Sequence, residues 1–191
     1  LLKMGGVAKE ETLDSTLWES IKLRLPWLLV NLLTAFLASA TIKVFESTIA
    51  QVVALSSIMS IITGMGGNAG TQTISIIIRN IAMGMVSLKD SWHLLGKEIL
   101  LGVIDGAVIG IVTSGIVSIM YGNYYLGIIA FLAMVANLII SGVAGILIPL
   151  ILQKLKIDPA LSSSIFLTTA TDVLGFFIFL SLAKVFLVHL I

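Results

Sequence analysis

No charged residue stands between Ser47 and Ile78, and none between Leu126 and Leu152. Soluble domains are about one-quarter charged, so uncharged runs of this length have no place on a water-facing surface. They are long enough to cross a bilayer, whose apolar core takes about 20 mostly apolar residues per helix. Composition agrees: 58% of the chain is hydrophobic, 11% is charged, and the mean hydropathy is +1.14. Too little polar surface exists to cover a soluble globule.

Three further apolar segments are legible. Leu25 to Ile42 is uncharged, Ile99 to Met120 is broken only by Asp105, and Pro159 to Ala183 contains only Asp172. The clusters GNYY (Gly122 to Tyr125) and QKLKIDP (Gln153 to Pro159) divide the last three segments. The expected fold is an all-α transmembrane domain of five helices, approximately 25–45, 48–78, 98–120, 126–152 and 159–188. Residues 1–24 read as a connecting, juxtamembrane helix ahead of the five-span domain 25–191. Within that lead, Asp14 or Ser15 is the expected helix cap; Leu17, Ile21 and Leu25 share a face, and Pro26 suits a first helical turn. The chain begins at Leu1 without an initiator methionine or a signal-peptide pattern, which reads as a fragment lacking an upstream part.

Five spans put the chain ends on opposite sides. Basic residues favour the cytoplasmic side. With the N-terminus inside, Lys3, Lys9, Lys22, Arg24, Arg79, Lys89, Lys97, Lys154 and Lys156 are inside, and only Lys43 and Lys184 are outside. The expected location is the cell membrane, multi-pass, with a cytoplasmic N-terminus and an extracellular or periplasmic C-terminus. Tyr121, Tyr124 and Tyr125 suit the outer interface.

Asp172 lies deep in the last apolar segment, where a charge costs a few kcal/mol on insertion scales. No Lys, Arg or His lies mid-span to pair with it, and Lys184 is about 18 Å further along a helix. A bound cation or a hydrated path remains, against the plain alternative of a protonated structural acid. Ser164, Thr168, Asp172 and Gly175 follow one another at helical spacing and form one stripe. Asp105 reads as nearer the inner end of its span, with a structural role, snorkelling or hydrogen-bonded to Asn137, or else as a secondary ion site. Asp158 precedes Pro159 as a helix cap.

The stretch GMGGNAGTQT adds Gly64, Gly66, Gly67 and Gly70 beside Asn68, Thr71 and Gln72. The glycines permit close helix contact or a local bend that exposes carbonyl oxygens. Together with the Asp172 stripe, the stretch reads as one wall of a narrow polar passage between spans two and five. The donors are hard oxygens, and the chain has no cysteine, which argues against copper or a zinc cage. A single carboxylate suits a dehydrated divalent ion poorly. Two chains on a two-fold axis would supply two. Chemistry alone leaves Mg²⁺, Ca²⁺ and Na⁺ open, and no catalytic motif is present, so the chain does not read as an enzyme.

The stretches GMGGNAGTQTISIIIR (Gly64 to Arg79), Ala136 to Lys184 and RLPWLL (Arg24 to Leu29) resemble the membrane domain of the MgtE family of bacterial magnesium channels. The resemblance implies a homodimer with the pore between subunits, lined by helices two and five. It implies that Asp172 helps to hold a largely hydrated Mg²⁺ as the transported and pore-bound ion. It places Ser164, Thr168 and Gly175 at pore-facing positions, with hydroxyls where some members have asparagine or alanine, and it sets Asn68 in the helix-two pore region. It further implies regulatory cytoplasmic domains upstream that are absent from this chain. The function expected is Mg²⁺ uptake through a channel; the alternative is a Na⁺-coupled divalent-cation exchanger.

Overall fold

The computed structural model describes residues 14–85 and 91–191. The start of the connecting helix, with Lys3 and Lys9, and the inner-side residue Lys89 lie outside the described residues. The elements are α1 (Leu17–Val44), a short α2 (Glu46–Gln51), α3 (Ala54–Ala82), α4 (Ser91–Tyr121), α5 (Tyr124–Lys154) and α6 (Pro159–Val185), closed by a 3-10 turn at Leu187–His189. Four of these, α1, α4, α5 and α6, are long and apolar enough to cross a membrane. The 29 residues of α3 give it the length, but its polar, glycine-rich middle leaves it without a span-length stretch as apolar as those of the other four.

The cap of α1 is Thr16 rather than Asp14 or Ser15. The backbone N–H of Thr16 donates to the Glu19 carboxylate at 2.9 Å, and the N–H of Glu19 donates to the Thr16 hydroxyl at 3.4 Å. This reciprocal box satisfies two otherwise orphaned groups. The helix then runs unbroken to Val44, so Pro26 sits inside it and not in its first turn. A proline there forfeits one backbone hydrogen bond, which membrane helices tolerate. The long uncharged run after Glu46 is also explained. Its first residues form α2, the chain turns at Val52 and Val53, and only then does α3 begin. Phe45 is buried at this corner and meets the ring of Phe177 on α6 edge-on, with centroids 5.8 Å apart.

The centre of the bundle is α5, which packs against α3, α4 and α6; α6 in turn touches α3 and α1. Ile129, Met134 and Leu138 of α5 are buried against Leu55, Ile58 and Ile62 of α3 and Phe179 and Leu180 of α6. Between helices in lipid the driving force is close packing, since the surrounding tails are as apolar as leucine. The α4–α5 contact shows how the sequence supplies it. Gly102, Gly106 and Gly110 recur every fourth residue on α4. A Cβ on Gly102 would lie 2.8 Å from the Cα of Ile139, one on Gly106 2.7 Å from the Cα of Val135, and one on Gly110 2.9 Å from the Phe131 ring. As the number rises on α4 it falls on α5, which is an antiparallel crossing with the backbones nearly touching.

Turn chemistry closes the elements. Gly122 takes φ +64°, the left-handed region where glycine carries no side-chain penalty, and Asn123 then caps α5 by accepting from the N–H groups of Tyr125 and Leu126. Asp158 accepts from the N–H of Ala160 at 3.0 Å with Pro159 in the first turn of α6, as the sequence predicts.

Candidate cation site

The polar residues of α3 and α6 meet in an open cleft of about 350 Å³. Its α3 wall is Ser60, Thr63, Gly64, Gly67, Asn68 and Thr71; its α6 wall is Thr168, Thr171 and Asp172. The α3 set recurs at steps of three and four residues, which is one face of an unbroken helix. The glycine stretch therefore makes a smooth wall and not a bend. Four glycines divide their work: Gly64 and Gly67 have nothing within 4 Å of a built Cβ and leave room in the cleft, whereas Gly66 and Gly70 are buried on the other side.

The hydroxyls of the wall all donate within their own helices, those of Ser60, Thr71 and Thr168 from exposed residues and those of Thr63 and Thr171 from buried ones. Ser60 donates to the Ser57 carbonyl at 2.8 Å, Thr63 to Met59 at 3.2 Å, and Thr71 to Gly67 at 2.8 Å. Thr168 donates to the carbonyls of Ser164 and Ile165, and Thr171 to those of Leu167 and Thr168. Each hydroxyl spends its proton on its own helix. What remains for the cleft is oxygen lone pairs. Asp172, half-buried, is the one ionisable side chain on this wall. Acceptor oxygens around a single carboxylate make a surface suited to a cation, or to the outward-pointing protons of its hydration water.

Of the residues expected at the site, Asn68, Thr168 and Asp172 come together here. Ser164, half-buried one turn before Thr168, does not line the cleft; its carbonyl accepts the Thr168 hydroxyl at 3.1 Å. Gly175 lies elsewhere: it is buried, and its missing Cβ is the space taken by the amide of Asn137. Ser60, Thr63 and Thr171 belong to the wall and were not singled out by the sequence reading. The signal for Ser60 was present, since Ser60, Gly64, Gly67 or Asn68, and Thr71 share a helical face.

Gln72 is not part of this cleft. With Thr73 it faces a second, smaller cavity of about 120 Å³ between α3, α4 and α5, lined also by Glu98 and Asp105. Thr73 donates to the Glu98 carboxylate at 3.0 Å. Because α4 begins at Ser91, Asp105 stands nearly four turns along it rather than near its end. Asn137, the partner expected for Asp105, instead donates to the Ile62 carbonyl at 2.8 Å.

The family model for MgtE, described as a divalent cation transporter, matches residues 59–182. This chain belongs to the MgtE family. The matched region begins just before Ser60 and ends beyond Asp172, so both walls of the cleft fall inside the part that defines MgtE membership. Among similar proteins, the magnesium transporter MgtE of Bacillus subtilis is 33% identical over 185 residues, covering 97% of this chain and 41% of the relative. That of Enterococcus faecalis is 33% identical over 184 residues, covering 96% of this chain and 40% of the relative. That of Thermus thermophilus is 31% identical over 164 residues, covering 86% and 36%. The chain thus spans about two fifths of the length of the curated MgtE relatives it matches.

Proposed function

We propose that this chain is the ion-conducting membrane domain of a Mg²⁺ channel, with the α3–α6 cleft as half of its pore. The observation that carries the reading is the cleft wall, on which the exposed hydroxyls of Ser60, Thr71 and Thr168 donate to their own helices beside Asp172 and so keep acceptor capacity for a cation. Membership of a family of divalent cation transporters supports the same ion class, and the relatives named as magnesium transporters support Mg²⁺. Mg²⁺ releases its water reluctantly. An open wall of acceptors fits a largely hydrated ion better than a closed cage does.

In this reading residues 1–24 connect to regulatory cytoplasmic domains upstream, and residues 25–191 form five membrane spans with α3 as the second. The N-terminus is cytoplasmic and the C-terminus extracellular or periplasmic in the cell membrane, following the bias of the basic residues. Two copies meet as a homodimer with their clefts facing, so that two Asp172 carboxylates match the charge of one divalent ion. Ser164 and Gly175 then support the wall from behind Thr168 and Asp172. No group is chemically transformed, so no residue is catalytic. Uptake is driven by the membrane potential, about 2.3 kcal/mol per elementary charge per 100 mV, hence twice that for Mg²⁺.

The test is ion flux into liposomes holding the purified protein, with the potential clamped and Mg²⁺, Ca²⁺, Mn²⁺ and Na⁺ compared. Potential-driven Mg²⁺ entry is the expected result. Mg²⁺ movement that follows a Na⁺ gradient at fixed potential would replace the channel with a coupled exchanger. Folded protein that moves no divalent ion would overturn both.

A further inference from the structure

Asn137 is a polar residue in the most apolar part of the bundle. It is completely buried on α5, flanked in sequence by Ala136 and Leu138. Its Nδ2 donates to the carbonyl of Ile62 on α3 at 2.8 Å. A Cβ on Gly66, one turn further along α3, would overlap the same amide and lie 2.9 Å from its Cγ. On the opposite side, a Cβ on Gly175 of α6 would lie 2.9 Å from Oδ1 and 3.1 Å from Cγ. One planar amide therefore fills two glycine notches, one on each helix that walls the cleft. Among the described residues Oδ1 has no hydrogen-bond donor. Burying an amide oxygen unpaired is unfavourable, so packing alone does not account for asparagine where alanine or leucine would bury no polar atom.

The notches sit directly beside functional positions. Ile62 and Gly66 are followed on α3 by Thr63 and Gly67, which line the cleft, and Gly175 is one turn after Asp172. We propose that Asn137 is a positioning residue, a spacer that sets the separation and rotation of α3 against α6 and so the width of the cleft between Asn68 and Asp172. The thickness of the amide sets the separation, and the bond to Ile62 fixes the rotation of α3. The inference rests on reading the cleft as the Mg²⁺ path, but the spacing itself is measurable without transport.

Two readouts test it on the full-length protein in liposomes. The first is the Mg²⁺ concentration at half-maximal flux, which a change in the amount of folded protein does not move. The second is the distance between spin labels at Ile61 on α3 and Leu174 on α6, both exposed, in labelled chains diluted with unlabelled ones. Asn137→Ala is expected to displace the half-saturating concentration about fivefold and to shift the label distance. Gly66→Ala, which forces the amide away, is expected to displace both as well. Combining Gly66→Ala with Asn137→Ala places a methyl where the amide stood and should bring both readouts back toward wild type. Unchanged half-saturation and distance in Asn137→Ala, with only the folded yield reduced, would overturn the proposal. So would a double variant no closer to wild type than either single one. Should the single variants not fold, Asn137→Ser keeps a donor but loses thickness. A shifted distance in that variant supports the spacer, and wild-type values overturn it. If the wild type carries no Mg²⁺, the reading of the cleft fails while the label distances still decide the spacer.

Discussion

At the scale of single residues, the decisive feature is a carboxylate with no cationic side chain beside it in the cleft among the described residues. Asp172 is the one ionisable residue among the neutral residues that line the cleft, and the proposed function assigns its charge to the ion. Asp172→Asn keeps the shape and removes the charge. We expect Mg²⁺ flux to fall about tenfold or more, which corresponds to about 1.4 kcal/mol of lost ion stabilisation, while size-exclusion chromatography shows the same assembly. Near-normal flux would contradict the assignment. Asp105→Asn is expected to cost much less, because Asp105 faces a different cavity in company with Glu98; equal losses at equal expression would show that this second cavity also matters to transport. Asp172, Thr168 and Asn68 were legible because polar groups stand out in apolar segments. Glu98 was not: beside Lys97 it reads as the edge of a span, and only the early start of α4 at Ser91 carries it inward.

At the scale of elements, glycines with the same sequence signature do different things. Gly67 borders open space, whereas Gly106 is pressed against the backbone of Val135 at 2.7 Å from a built Cβ. Backbone cannot step aside as a side chain can. Gly106→Val is therefore expected to destabilise the α4–α5 pair by about 1–3 kcal/mol or more, read as a lower midpoint of thermal aggregation in detergent. Gly67→Val should leave that midpoint nearly unchanged and reduce flux by narrowing the cleft. The opposite pattern would mean that the cleft is misassigned. A further site lies after α5, where Lys156 holds φ 59°, a left-handed conformation unfavourable for residues with a side chain. Lys156→Gly should raise the same midpoint slightly, by about 0.5–1 kcal/mol of stability. A lower midpoint would show that the lysine side chain contributes more than its backbone costs.

At the scale of the whole molecule, the proposed pore takes two copies of the cleft. An open wall with one carboxylate per chain gives a divalent ion only partial compensation, and in the proposed homodimer a second copy on a two-fold axis would complete it. The chain has no cysteine, so Asn68→Cys introduces a unique thiol on the exposed α3 wall. A short bifunctional thiol reagent should link two copies in membranes, and Mg²⁺ should slow the reaction. Active protein that never cross-links at this position would place the interface on another face. Control belongs to this scale too. Residues 1–191 expressed alone are expected to conduct but to respond weakly to cytoplasmic Mg²⁺, since shifting a closed–open equilibrium from 1:99 to 99:1 takes about 5.5 kcal/mol of differential binding. The exposed acids Asp14 and Glu19 ahead of Pro26 do not supply it. Inside-out patches with stepped cytoplasmic Mg²⁺ test this, and a steep reversible loss of open probability would refute it.

The amino-acid sequence by itself determined the class of molecule and singled out candidate residues for its site. Apolar runs too long for a water-soluble surface dictate membrane helices, and one carboxylate among hydroxyls marks where the cation site is proposed; both readings rest on the cost of polarity in an apolar medium, which a linear reading detects. It also gave the cap at Asp158, because capping is local. Tertiary structure alone decided which face each polar residue took. Gly66 and Gly67 are neighbours in sequence, yet one receives the Asn137 amide and the other opens the cleft. Gln72 and Thr71 part in the same way, into two cavities. A helix turns about 100° per residue, so adjacent positions point to different neighbours, and which neighbour stands there depends on helices tens of residues away.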